Sequence, residues 1–273
     1  MSELDIQPAL VAELLESFLR EEVGSAGMKR AVVGLSGGVD SAVVAALCAR
    51  ALGPENVLAV LLPYRLSSRR SSSDAELVAQ HLALRLKRVD ISAMADSYFE
   101  AEGVDDRRRR GNVLARCRMI VLYDLSVDWH GLVVGTSNKS EILLGYSTQW
   151  GDGAYALNPL GDLYKHQVYQ LARFLELPSE VIEKSPSADL FEGQTDEGEL
   201  GFTYADGDRL LYLMVDRRYS QDELVAEGFA PEFVKRVAGM VVATQFKRVP
   251  PPIAKLSRRS VGHDFRYLRD WKK

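Results

Sequence analysis

The stretch Ala31-Val32-Val33-Gly34-Leu35-Ser36-Gly37-Gly38-Val39-Asp40-Ser41 runs straight into a second apolar segment, Ala42 to Leu52. Read locally, it is a buried strand, a glycine turn and the start of a helix. Backbone N–H groups at such a turn and in the first helical turn have no internal partners, and the helix dipole adds partial positive charge there. Gly37 and Gly38 permit positive φ and close approach of backbone to a ligand. Ser36 and Ser41 add hydroxyls, and Asp40 adds the carboxylate that a magnesium–phosphate complex requires. The segment therefore reads as a cradle for phosphate, and for pyrophosphate in particular. The plainer alternative is that Asp40 and Ser41 only cap a helix after a glycine turn.

Two familiar phosphate motifs are excluded. No G-x-x-x-x-G-K-[ST] occurs, since Gly135-Thr136-Ser137-Asn138-Lys139-Ser140 lacks the second glycine, and the turn is not G-x-G-x-x-G. Gly34 to Ser41 instead resembles the SGGxDS loop of the ATP pyrophosphatase superfamily, whose members split ATP into AMP and pyrophosphate while activating a carbonyl or carboxylate.

Working outward, strands alternate with helices. A helix with apolar residues at Leu10, Val11, Leu14, Leu15, Phe18 and Leu19 comes first. Strands are expected at Ala31–Leu35, Val57–Leu62, Arg88–Ile91 and Leu132–Gly135. Gly53-Pro54 stops the helix after the first strand. A Ser-rich turn, Ser71-Ser72-Ser73-Asp74, is expected to cap the next helix, and a further helix spans Asn112 to Val127. This order predicts an α/β fold: one doubly wound domain over residues 1–273, with a parallel sheet and helices on both faces. Ligands in such sheets bind beyond the carboxyl ends of the strands, where Ser36, Pro63, Asp90 and Thr136 fall. Residues 257–273 read as a C-terminal tail.

A net charge of −4 argues against a dedicated nucleic-acid binder. No signal peptide or membrane-length apolar stretch is legible, so a cytoplasmic protein is expected. Cys48 and Cys117 form no metal or redox pair and read as buried structural thiols. His81, His130, His166 and His263 sit in no nucleophile or metal pattern. The run Arg107 to Arg110 reads as a mobile, solvated basic segment, or as one that a phosphate-bearing ligand orders. Trp150 fits either a pocket wall or a core. Lys184 to Gly201 carries Asp189, Glu192, Asp196, Glu197 and Glu199 among glycines with little apolar periodicity. It is expected to be a lid loop, residues 184–201, with Leu190 and Phe191 closing over the nucleotide.

After the fourth strand, Asn138 with Glu141 three residues on has the spacing of a capping box. It also brings a second carboxylate to the sheet edge that carries Asp40. With Tyr146, Gly151-Asp152-Gly153 and Asn158-Pro159-Leu160, this region resembles ammonia-dependent NAD synthetases. The resemblance reaches back through Gly111 to Met119 and forward through Lys165, Ser185 to Leu190 and Asp196 to Gly201. It covers residues from about 5 to 256.

That resemblance implies ATP-dependent amidation of deamido-NAD by ammonia, through an acyl-adenylate, in a homodimer. It assigns Gly34, Leu35, Ser36, Gly37, Gly38, Val39, Asp40 and Ser41, with Thr136, Lys165 and Ser187, to ATP. Asp40 and Glu141 would hold magnesium, and Asp40, Lys165 and Asp152 would carry catalysis. Arg116, Tyr123 and Lys247 would meet the dinucleotide, Tyr123 lying seven residues after Arg116 and so on the same helical face. Gln149, Ala156 and Phe246 depart from some members at substrate positions. The chain shows no room for a glutaminase domain, so free ammonia is the expected donor. A tRNA-thiolating enzyme would need a reactive cysteine and a basic face, and a regulatory nucleotide-binding module would not need both acidic residues and Lys165.

Overall fold

The computed structural model describes residues 3–187, 195–262 and 264–265. Four strands form a parallel sheet: β1 (Arg30–Gly34), β2 (Val57–Leu61), β3 (Arg85–Arg88) and β4 (Gly131–Val134), in the order β3-β2-β1-β4. Around them lie α1 (Pro8–Ser25), α2 (Val39–Leu52), α3 (Arg69–His81), α4 (Ser92–Glu102) and α5 (Arg107–Trp129). The chain continues with α6 (Lys139–Leu144), α7 (Lys165–Phe174), α8 (Ser179–Ile182) and α9 (Asp196–Leu200). It ends with α10 (Tyr204–Leu211), α11 (Gln221–Ala226) and α12 (Pro231–Ala243).

Strand alternation sorts the core. Ala31, Val33, Val57, Ala59 and Leu61 face one side of the sheet and pack against α1, α2, α3 and α7. Val32, Leu58 and Val60 face the other side, against α4 and α5. Both faces of β1 and β2 are covered, which is why these strands are unbroken apolar runs. A third cluster, including Leu144, Tyr164, Leu210, Leu211, Leu224 and Val237, joins α6 to α10, α11 and α12 beside the sheet.

Because β1 lies between β2 and β4, successive connections leave it in opposite directions. That reversal opens a crevice at the carboxyl ends of β1 and β4. The expected doubly wound parallel sheet is thus the observed one.

Several local expectations differ from the structure. The third strand is Arg85–Arg88 rather than Arg88–Ile91. It is a charged edge strand, and the apolar Ile91 lies beyond it, buried in the second core. Ser71 to Asp74 lie inside α3, whose cap is Ser68, accepting from the Arg70 N–H at 3.1 Å. The arginine run is not a loose segment. Asp106 caps α5 by accepting the Arg109 N–H at 2.8 Å, so Arg107 to Arg110 form its first turn. Arg110 lies over the Phe99 ring at 4.1 Å and donates to Tyr64 Oη at 2.9 Å. Asp196 to Leu200, expected within a loop, form α9 under a Thr195 cap. Residues 188–194, with Asp189, Leu190, Phe191 and Glu192 of the lid expectation, lie outside the described residues, as does His263.

Candidate active site

The phosphate-loop residues come from the β1–α2 turn. Gly37 has φ +74°, and a Cβ there would stand 2.2 Å from the Ser71 carbonyl oxygen, so glycine is required on both counts. The Ser41 hydroxyl donates to Gly38 O at 2.9 Å, accepts the Ser36 N–H at 3.2 Å and lies 3.1 Å from Ser36 Oγ. The cap residue of α2 is Gly38, with no side-chain capping bond. Asp40 and Ser41 are therefore not the helix cap that the plainer reading suggested. Asp40 is released for other contacts.

Those contacts cross the fold. Asn138 Nδ2 donates to Asp40 Oδ1 at 2.8 Å, and the buried Lys165 Nζ donates to Asp40 Oδ2 at 2.5 Å. Lys165 Nζ also lies 3.4 Å from Glu141 Oε1. Burial opposes the ammonium charge, but Asp40 and Glu141 outweigh it and hold Lys165 above the usual lysine range. Burial, and then Asp40, push the Glu141 carboxyl up to about 8, against the pull of Lys165. Glu141 serves two purposes at once. Its Oε2 accepts the Asn138 N–H in a completed capping box, while Oε1 faces the lysine. Capping and site membership are not alternatives here.

A cavity of about 920 Å³ opens over this cluster, near the upper end of the range of roughly 300–1,000 Å³ for small-molecule sites. Of the expected ATP residues, Gly34, Leu35, Ser36, Gly38, Val39, Asp40 and Ser41 line it, together with Thr136, Lys165 and Ser187. Gly37 is not part of the lining and packs against α3. Glu141, Arg116, Asp152 and Lys247 also face the cavity. The Lys247 ammonium donates to the carbonyls of Gly145 at 2.7 Å and Ser147 at 2.5 Å. Arg116 donates to Gln149 O at 3.2 Å, and Asp152 accepts the Thr148 N–H at 2.7 Å.

Tyr123 stands apart. It lines a separate shallow pocket of about 320 Å³ with Met119, Trp150 and Tyr155, so one helical face does not bring it into the cavity with Arg116. Trp150 is exposed rather than core. Gln149 and Phe246 line the cavity, whereas Ala156 is not in the lining and pairs its N–H with Val133 O.

Sequence reasoning did not assign Arg107, Arg108 or Arg118 to the cavity they face, while Lys184 and the buried Asp196, which fell within the expected lid segment, line it too. Asp196 Oδ1 has no hydrogen-bond partner among the described residues, and burial raises its carboxyl. An aspartate immediately before the arginine run was the available signal for α5. Nothing local marks Asp196 or Asn138 as neighbours of Lys165. Cys48 is fully buried, its thiol pushed up to about 12, and Cys117 is also buried. Both match the structural reading.

Fold and site together define a nucleotide-dependent enzyme of the adenine nucleotide alpha hydrolase-like class, with its ligand cavity at the sheet's switch point. Comparison with known proteins narrows this. A family model described as NAD synthase matches residues 11–251, and the chain belongs to that family. The NH(3)-dependent NAD(+) synthetase of Trichlorobacter lovleyi is 54% identical over the full length of both chains. Its counterpart from Chlorobaculum parvum is 52% identical, over 98% of this chain and 97% of that one. Among solved structures, the NH3-dependent NAD synthetase of Campylobacter jejuni, in complex with nitrate, has a TM-score of 0.80 at 34% identity, covering 92% of this chain and all of that one. NMN synthetase of Francisella tularensis has a TM-score of 0.81 at 29% identity, covering 92% and 99%.

Proposed function

We propose that this chain converts deamido-NAD to NAD, using ATP and ammonia and releasing AMP and pyrophosphate. The observation that carries the reading is the convergence of Asp40, Glu141 and Lys165 on one cavity whose floor is the SGGxDS turn. The pyridine carboxylate is a poor acyl donor. Its attack on the α-phosphorus forms an acyl-adenylate and breaks the bond to pyrophosphate. Ammonia then adds to the activated carbonyl, AMP leaves and the nitrogen sheds its proton. In this scheme the turn holds the departing phosphates, and Lys165 neutralises charge building on the α-phosphate. Thr136 and Ser187 contact the nucleotide, while Arg116 and Lys247 meet the dinucleotide. No enzyme nucleophile is required, and both thiols are buried and outside the cavity lining.

Magnesium fits the donor set. It keeps its waters and takes one or two carboxylates together with phosphate oxygens, and Asp40 and Glu141 are two hard oxygen donors beside the phosphate turn. Bound there, it would neutralise the leaving pyrophosphate.

Incubation with ATP, magnesium, ammonium and deamido-NAD is expected to yield NAD, AMP and pyrophosphate in equal amounts, with glutamine a poor nitrogen source. ADP formation, or product without dependence on deamido-NAD, would refute the reaction. The likeness to an NMN synthetase makes nicotinate mononucleotide the competing acceptor. The higher kcat/KM is expected for the dinucleotide, and the reverse order would reassign the substrate.

A homodimer completes the reading. Ile120, Tyr123 and Val127 are spaced three and four apart on α5 and are 50%, 38% and 76% exposed. Val113 and Leu122 on the same helix pack on the second core and take no part in this stripe. Light scattering at micromolar concentration is expected to give twice the 30.3 kDa chain mass. A monomer would count against the apolar stripe as an interface.

A further inference from the structure

Lys184 reaches the phosphate turn from the far side of the cavity. Its Nζ donates to Gly37 O at 3.2 Å, Ser71 Oγ at 3.0 Å and Asp74 Oδ2 at 2.8 Å. An ammonium has three protons, and here three acceptors take them. The pair with Asp74 is largely withdrawn from solvent, the two side chains being 17% and 9% exposed. Lys184 is thus engaged by protein rather than held free for a ligand, although it stands at the cavity wall.

What it holds is one peptide plane. The unit joining Gly37 to Gly38 has its carbonyl on Lys184 and its N–H on Ser36 Oγ at 3.2 Å. Between two glycines such a plane turns over at little cost, because neither residue has a Cβ to oppose positive φ. Turning over would exchange the positions of an N–H and a carbonyl oxygen in a turn whose task is to receive phosphate. The carbonyl is an acceptor and repels an anion.

We propose that Lys184 is a positioning residue that locks the Gly37–Gly38 peptide in its phosphate-receiving orientation, with Asp74 anchoring the lysine to α3. The inference rests on the reading of the SGGxDS turn as the ATP phosphate site. Without the lock, the turn divides its time between two orientations, and only one binds. Apparent affinity then falls by the fraction of time spent in that one, so a turn competent one time in ten binds about tenfold more weakly. Once nucleotide is bound, the turn is already competent and the chemical step proceeds as before.

The test measures binding of ATP with magnesium by calorimetry, without deamido-NAD, so that failure of the amidation assay does not decide it. Lys184→Met is expected to weaken ATP about tenfold while kcat at saturating ATP and affinity for deamido-NAD stay within about twofold. Asp74→Asn is expected to weaken ATP in the same direction. The double variant should be no weaker than Lys184→Met alone, because both changes release one lock. ATP affinity within twofold of the parent in Lys184→Met overturns the proposal. So does a loss of kcat with ATP affinity retained, which would make the lysine a participant in chemistry. Should Lys184→Met fail to fold, Asp74→Asn decides by the same pair of numbers: weaker ATP with unchanged kcat supports the lock, and unchanged ATP affinity refutes it.

Discussion

Asp40→Asn is expected to lower the rate of NAD formation by about two to three orders of magnitude, the range for removing one preorganised electrostatic group from a reacting centre. The substitution removes the charge that faces Lys165 at 2.5 Å and one of the two hard oxygen donors proposed for magnesium. Helix α2 should still form, because its cap is Gly38 and the asparagine keeps an oxygen for Asn138 Nδ2, but the buried Lys165 loses its nearest counter-charge and the melting temperature should fall as well. Glu141→Gln makes the sharper comparison. Glutamine completes a capping box as glutamate does, so α6 should be undisturbed. A fall in turnover with an unchanged melting temperature would therefore report the charge alone. Near-parental turnover at saturating magnesium would leave Glu141 with only its capping duty.

Lys165→Met is expected to have the larger effect on stability. The methionine matches the lysine stem in length and removes the cation from between two carboxylates. Asp40 then loses its buried counter-charge and the Glu141 carboxyl, no longer held down by the lysine, rises further; breaking a buried pair of this kind costs roughly 3–5 kcal/mol. Turnover should fall by about a thousandfold because charge on the α-phosphate goes unneutralised. Millimolar magnesium should restore part of the lost melting temperature, by binding the native state alone, without restoring turnover. A variant as stable as its parent in the presence of a chelator would show that the carboxylates are not strained by each other's charge.

The sheet is readable because β1, β2 and β4 are covered on both faces and announce themselves as apolar runs bounded by turn residues such as Gly34, Pro63 and Gly135. β3 was misplaced by a few residues for the opposite reason. An edge strand can be Arg-Leu-Lys-Arg, and the apolar residues that drew attention, Val89 and Ile91, belong to the turn and core after it. Charge density misleads again at Arg107 to Arg110, which form an ordered helical turn: the Arg110 guanidinium packs on Phe99 and Tyr64, while the other three stay exposed. At the site, residues inside contiguous motifs were visible, and those recruited by tertiary contact were not. Asn138 reads as a cap, and only the fold reveals that its amide also holds Asp40. Lys184 reads as the start of a loop, and only the fold brings it to Gly37. Tyr123 shows the converse, since sharing a helix face with Arg116 did not bring it to the same cavity.

The contact between Lys165 and Asp40 joins residues 125 positions apart, and that between Asn138 and Asp40 joins residues 98 apart. No partly assembled chain contains the site in fragments that could work separately, because its charges meet only when β1, β4 and α7 have all reached their final places. Nucleotide recognition in this protein is therefore a property of the finished chain. ATP, by binding only the finished site, biases the whole molecule toward completion.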